Sequence, residues 1–254
     1  MPKIITCFKW VIDQADIKSE PGSNRLILDR VDYKISDYDR NAIEEAVRLQ
    51  EVYGGSVAAL TIGTPAARKS LKDALARGPE QAYFVHDASF NDLEPAQTAS
   101  LLARALDSQI DYDLIICGEG SGDLYAQQVG PRLAENLNLP CITQARKLTI
   151  QENQVIAERK VEEGIEVVAA PMPCLVTVLP EINTPRIPGL KDTLAASKKP
   201  VTEISLQDLG QYYEPCLKTI DLQATTMERK CEKFDPADGL NKLAQALVKA
   251  AAIS

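Results

Sequence analysis

The chain has 254 residues, 45% of them hydrophobic, with 28 Lys and Arg against 36 Asp and Glu for a net charge of -8. That length and apolar share can bury a sizeable core, as one large domain or two small ones. The acidic balance excludes a nucleic-acid groove, which needs clustered cations, and no apolar run reaches the roughly 18 residues of a membrane span.

The chain opens on KIITCF (3–8), an apolar run with no n-region or cleavage site, which reads as a first strand and not a signal peptide. Lys9 and Trp10 follow it. A strand-end Trp there either covers an aromatic ring or plugs the sheet edge. Residues 36–53 carry helix signals: Ser36 and Asp37 are capping types, Ala42, Ile43, Ala46, Val47 and Leu49 share one face, and Gly54-Gly55 ends the run. SVAALTIG (56–63) is a strand and PAARKSLKDALARG (65–78) a helix stopped by Gly78. QAYFVH (81–86) is a strand, 95–109 a helix starting at Pro95, DLIIC (113–117) a strand and 125–138 a helix.

This alternation predicts a parallel sheet covered on both faces. Ligands of such sheets bind beyond the carboxyl ends of the strands. Those ends lie near Cys7 to Lys9, Ile62 to Thr64, His86 to Asp87 and Cys117 to Gly122. After residue 140, ARKLTI, QVIAERKV, EVVAA and CLVTVL are short strands broken by turn residues, an antiparallel extension. From Pro180 the chain reads as irregular. A closing amphipathic helix has Leu240, Leu243, Ala244, Leu247, Val248 and Ala251 on its stripe, and either folds back or docks on a partner. The expected fold is α/β, a three-layer Rossmann-like, mostly parallel sheet with an antiparallel extension and a C-terminal arm ending in a helix. Residues 1–199 form the nucleotide-binding domain and 200–254 the arm.

The segment 117–131, CGEGSGDLYAQQVGP, places Gly118, Gly120 and Gly122 between a strand and a helix. It is neither G-x-G-x-x-G nor a P-loop. One reading is a tight turn. The other is a phosphate cradle of backbone N–H groups at a helix start. The loop has no Lys or Arg, which suits a permanently held nucleotide better than phosphoryl transfer. His86 is the single histidine and forms no triad. Cys7, Cys117, Cys141, Cys174, Cys216 and Cys231 include no C-x-x-C pair, so no metal site is expected and the thiols read as reduced and cytoplasmic. Tyr212 and Tyr213 in the arm read as packing residues. No residue is assigned to catalysis.

The stretch 157–177, AERKVEEGIEVVAAPMPCLVT, resembles the signature of the electron transfer flavoprotein β-subunit family. CFKWVID, ISDYDRNAIEEAVRL, ALTIGTPAARKSLKDALARGPEQAYFV and NTPRIPGLKDTLAASKKP extend the resemblance along the whole chain, closest to the FixA-like branch. The resemblance implies an electron carrier, not an enzyme, in a heterodimer with an α-subunit that carries the redox FAD. The β-subunit would hold AMP, or in bifurcating members a second FAD. The nucleotide would meet Cys7, then Ser36, Asp37, Tyr38 and Asp39, then Ile62 and Gly63. Its phosphates would lie on the loop from Gly118 to Gly130, at Gly120, Gly122, Asp123, Gln128 and Val129 in particular. Leu190 matches the leucine that inserts into a flavin dehydrogenase. Leu124, Tyr125 and Ala126 depart from the family loop, which carries a second acidic residue and a Thr or Asn there, and SDY (36–38) replaces the common NPF. VGP (129–131) looks like the bifurcating type, and AMP against FAD stays open. Two rivals are a stand-alone adenine-nucleotide sensor, similar in fold to universal stress proteins, and a nucleotide-dependent enzyme. The long arm speaks against the first, and the missing P-loop lysine and acid/base pair against the second.

Overall fold

The computed structural model describes residues 1–20, 22–210, 217, 219–224, 231–235 and 239–250. Tyr212, Tyr213, Cys216 and Ala251 lie outside the described residues. Contacts divide the chain into two units, 1–18 with 27–221 and 19–26 with 222–254.

Strands and helices alternate along the chain. They are β1 (Lys3–Cys7), β2 (Trp10–Ile12), β3 (Lys18–Ser19), β4 (Leu26–Ile27), β5 (Tyr33–Ile35), α1 (Asp37–Tyr53), β6 (Ser56–Gly63), α2 (Ser70–Ala76) and β7 (Gln81–His86). There follow α3 (Pro95–Gln109), β8 (Leu114–Gly118), α4 (Val129–Asn136), β9 (Cys141–Gln151), β10 (Gln154–Val161), β11 (Gly164–Pro171), β12 (Cys174–Val178), α5 (Leu190–Ala196) and β13 (Val201–Ser205). Nine strands form one sheet in the order β11-β10-β9-β12-β8-β1-β6-β7-β13. From β9 to β13 in that order every neighbouring pair is parallel, and β10 runs antiparallel to both β9 and β11.

Both faces of the central strands β12, β8, β1 and β6 are buried, which is why these strands read as nearly continuous apolar runs. Along β1, Ile5 and Cys7 pack with Leu101, Leu102 and Leu106 of α3 and Leu133 of α4, while Ile4 packs with Ala42, Ala46 and Val47 of α1. Ile43, Leu71, Leu75 and Phe84 extend the second face toward β7. This is the Rossmann-like three-layer arrangement expected.

Three local readings need correction. CLVTVL is not part of the antiparallel extension: β12 lies parallel between β8 and β9, buried at all five positions. The absence of polar alternation in that run is the signature of a central parallel strand. The helix expected at 125–138 begins only at Val129 and ends at Asn136, because Tyr125 and Gln127 take positive φ of 47° and 55°. Third, the stretch after Pro180 is not wholly irregular: it contains α5, and β13 pairs with β7 at the sheet edge.

Side chains on α1 clamp the segment before α5. Asn41 and Asn183 exchange hydrogen bonds, Asn183 also donates to Glu45, and Arg186 reaches Glu44 at 2.8 Å and Glu51 at 2.9 Å. Burial opposes ionisation of Glu44, but the Arg186 bonds outweigh it and hold its carboxyl below the ordinary value.

In the smaller unit, Glu20 N–H donates to Arg25 O, Ala224 N–H to Asn24 O, and Arg25 bridges Gln223. Its helix α6 (Gly239–Lys249) leaves Leu240, Leu243 and Val248 exposed and Leu247 half-buried.

Arg186→Gln would leave the Glu44 carboxylate without its charged partner. A loss of about 1–3 kcal/mol in urea unfolding is expected, with faster amide exchange at residues 183–189. An unchanged midpoint would show that the clamp carries no stability.

Candidate functional site

The carboxyl ends of β1, β6, β7 and β8 share one edge, as a parallel sheet requires. At its middle stands Asp39, in the first turn of α1 and 6% exposed. Its Oδ2 accepts Lys9 N–H at 2.8 Å and its Oδ1 accepts Gly118 N–H at 3.2 Å. One carboxylate therefore ties together the chain after β1, the start of α1 and the end of β8. Gly118 is required here: a Cβ would fall 2.6 Å from Asp39 Oδ1 and 2.8 Å from the Tyr38 backbone.

Ser36 extends the tie. Its N–H donates to Lys9 O, and its buried hydroxyl oxygen accepts Gly122 N–H at 3.2 Å. Gln14 donates to Gly122 O. The glycine loop is thus held from three sides before α4 begins. α4 has no side-chain cap at its N-terminus, and Gln128 there accepts from Arg132 Nε at 3.0 Å. Its first-turn N–H groups at Val129 and Gly130 have no partner within the helix and lie at its positive pole. Gly130 lets α4 approach the sheet, since a Cβ would meet Thr177 Cγ2 at 2.5 Å.

Lys9 supplies the cation that the loop itself lacks. Its ammonium pairs with Asp123 at 2.5 Å, and Asp123 also accepts from Ser121 Oγ and Leu124 N–H. Burial opposes the Asp123 charge, but Lys9 outweighs it and keeps the carboxyl below its ordinary value. Asp123 therefore holds the Lys9 ammonium against the glycine loop. Sequence reasoning noticed Lys9 but gave it no role. Its partner lies 114 residues away, and only the fold joins them.

Tyr38 and Tyr125 meet at 5.1 Å between ring centroids, tilted by 40°. Cys7 and Cys117, at the ends of adjacent strands, are buried under the loop. The hydrogen bond with Cys7, then burial, holds the Cys117 thiol well above its ordinary value, so it is no nucleophile. Ile62 and Gly63 end β6 on the far side of β1. Asp37 stays at the rim with Lys34 and Arg40.

Other expectations fall outside the cluster. His86 ends β7, three strand spacings from β8, or roughly 14 Å, and faces Glu203 of β13 at 3.5 Å. Trp10 is half-buried in β2 and its ring stacks on Tyr33 at 6.2 Å. Leu190 begins α5 at 78% exposure, beside exposed Ile187 and Leu194. Among the described residues no group of acidic, His and Cys side chains could hold a metal, and no helix is long and apolar enough to cross a membrane.

The family model described as the electron transfer flavoprotein domain matches residues 25–209, well over half of the chain. The chain belongs to the electron transfer flavoprotein domain family.

Burial pushes the Asp39 carboxyl up to about 7, against the pull of the two amides and Lys9. Below about pH 4 folded and unfolded chains are both protonated at this group. Between about pH 4 and 7 only the unfolded chain releases the proton, so stability falls as pH rises, by up to about 4 kcal/mol, and levels off above. Asp39→Asn should lower stability near pH 4.5, where it puts an amide donor in place of an accepting oxygen, and remove that part of the slope, read from urea midpoints at pH 4.5 to 7.5. Parallel curves for the two proteins would contradict this.

Proposed function

We propose that this chain is the β-subunit of a heterodimeric electron transfer flavoprotein of the FixA-like branch. In this reading it is a carrier in the cytoplasm and not an enzyme. It pairs with an α-subunit that bears the redox FAD, and passes electrons from a flavin dehydrogenase to an acceptor. Family membership supplies the class of activity. The observation that carries the rest is the glycine loop, braced by Asp39 and Ser36 at the carboxyl edge of the sheet beside the uncapped start of α4.

The residues fit an adenine nucleotide. Gly118 and Gly130 let the loop and the start of α4 pack directly against Tyr38, Asp39 and Thr177, which draws both to the carboxyl edge of the sheet. The N–H groups of Val129 and Gly130 and the Lys9 ammonium would hold phosphate, while Ser36 to Asp39 and Ile62-Gly63 border the space for the base. Bound AMP would be a structural prop, and bound FAD would add a second redox centre. Both readings use the same donors.

Leu190, with Ile187 beside it, would insert into the dehydrogenase, as one buried aliphatic anchor can dominate a small interface. Asn183 and Arg186 fix the segment that presents it. The exposed stripe of α6 would dock on the α-subunit.

Titration calorimetry of the full chain with AMP should show saturable binding near one site. Lys9→Ala should weaken it about 10-fold, because one charge-assisted contact to phosphate is lost. Absence of any adenine-nucleotide binding would sink the proposal. Leu190→Ala should leave AMP binding unchanged and slow reduction of the complex by its dehydrogenase.

A further inference from the structure

Tyr125 is oddly placed for a surface residue. Its backbone sits at φ 47°, a conformation that non-glycine residues rarely adopt and that often marks a functional position. Its ring is braced. It lies close over Gly120, where a Cβ would come within 2.6 Å of the ring, and against the ring of Tyr38. The phenol donates to Glu119 Oε1 at 2.7 Å. Yet the residue is 43% exposed. A tyrosine serving only to pack would be covered, and one serving only solubility would not be locked by three neighbours and a strained backbone.

The ring also has a defined place relative to the phosphate donors. It lies on the rim of the loop four residues before Val129, whereas the sheet-edge residues Ser36, Asp39 and Cys7 are buried beneath. A nucleotide with its phosphates on α4 and its adenine against the sheet edge leaves the rim for a second planar group. An aromatic face fixed in advance loses little freedom when a ring stacks on it.

We propose that Tyr125, backed by Tyr38 and Gly120, is a stacking platform for the second planar ring of a dinucleotide, and selects such a ligand over a mononucleotide. This rests on the nucleotide-binding reading above. Glu119 is its positioning residue, fixing the ring through the phenol.

The test is binding of FAD and of AMP to the full chain, by calorimetry and by flavin fluorescence, which stacking on tyrosine quenches. The wild-type chain should bind FAD with quenching. Tyr125→Phe, which keeps the ring but loses the Glu119 bond, should keep the quenching and weaken FAD by about 3-fold or less. Tyr125→Leu should weaken FAD about 10-fold and abolish the quenching, in line with the loss of one aromatic stack, while AMP affinity stays within about 2-fold. Glu119→Gln should weaken FAD by about 3-fold or less. The platform is overturned if the wild type binds AMP but not FAD, if Tyr125→Leu leaves FAD unchanged, or if it weakens both ligands equally. Binding of neither ligand by the wild type would overturn the nucleotide-binding reading itself.

Discussion

The site depends on a single buried carboxylate accepting two backbone amides. Asp39 holds Lys9 N–H and Gly118 N–H, one on each oxygen, and so fixes the ends of two neighbouring strands to the first turn of α1. Everything functional is placed from there. Lys9 is positioned to meet Asp123, Ser36 to meet Gly122, and the loop to deliver its chain to the start of α4. The cost is visible in the same group: burial resists its charge, and the amides and Lys9 oppose that resistance. A buried polar group is tolerable only when satisfied, and here the partners that satisfy it are the backbone segments the site needs to hold.

The second fixed region lies on the outer side of α1. Glu44, Glu45 and Asn41 face the segment around Asn183 and Arg186, so one helix braces both the carboxyl edge of the sheet and the loop that presents Ile187 and Leu190. Its N-terminus serves the first and its middle the second. Damage to the core under α1 is therefore transmitted to both.

Much of this was legible in the sequence because it is local. The alternation of buried runs with helical periodicity gave the parallel sheet, and Gly118 to Gly130 announced a strand-to-helix loop. What failed was non-local. CLVTVL follows a hairpin in sequence but crosses to the middle of the sheet, and only its unbroken apolar run hinted at that. The start of α4 slipped four residues because left-handed backbone at Tyr125 and Gln127 does not show in residues of ordinary helix propensity. Lys9 and Asp123 are each unremarkable alone, and their pairing follows from strand order, which no spacing rule supplies.

The central claim is that the braced loop carries a permanently bound adenine nucleotide in a complex with a flavin-bearing partner. The most direct measurement is to co-express the chain with its neighbouring α-subunit, purify the complex, denature it and identify the released small molecules by chromatography and absorbance. The account predicts a heterodimer releasing FAD together with one further adenine nucleotide, either AMP or a second FAD, per pair of chains. A chain that stays folded and alone beside its co-expressed partner, or a complex that releases one FAD and nothing else, would contradict it.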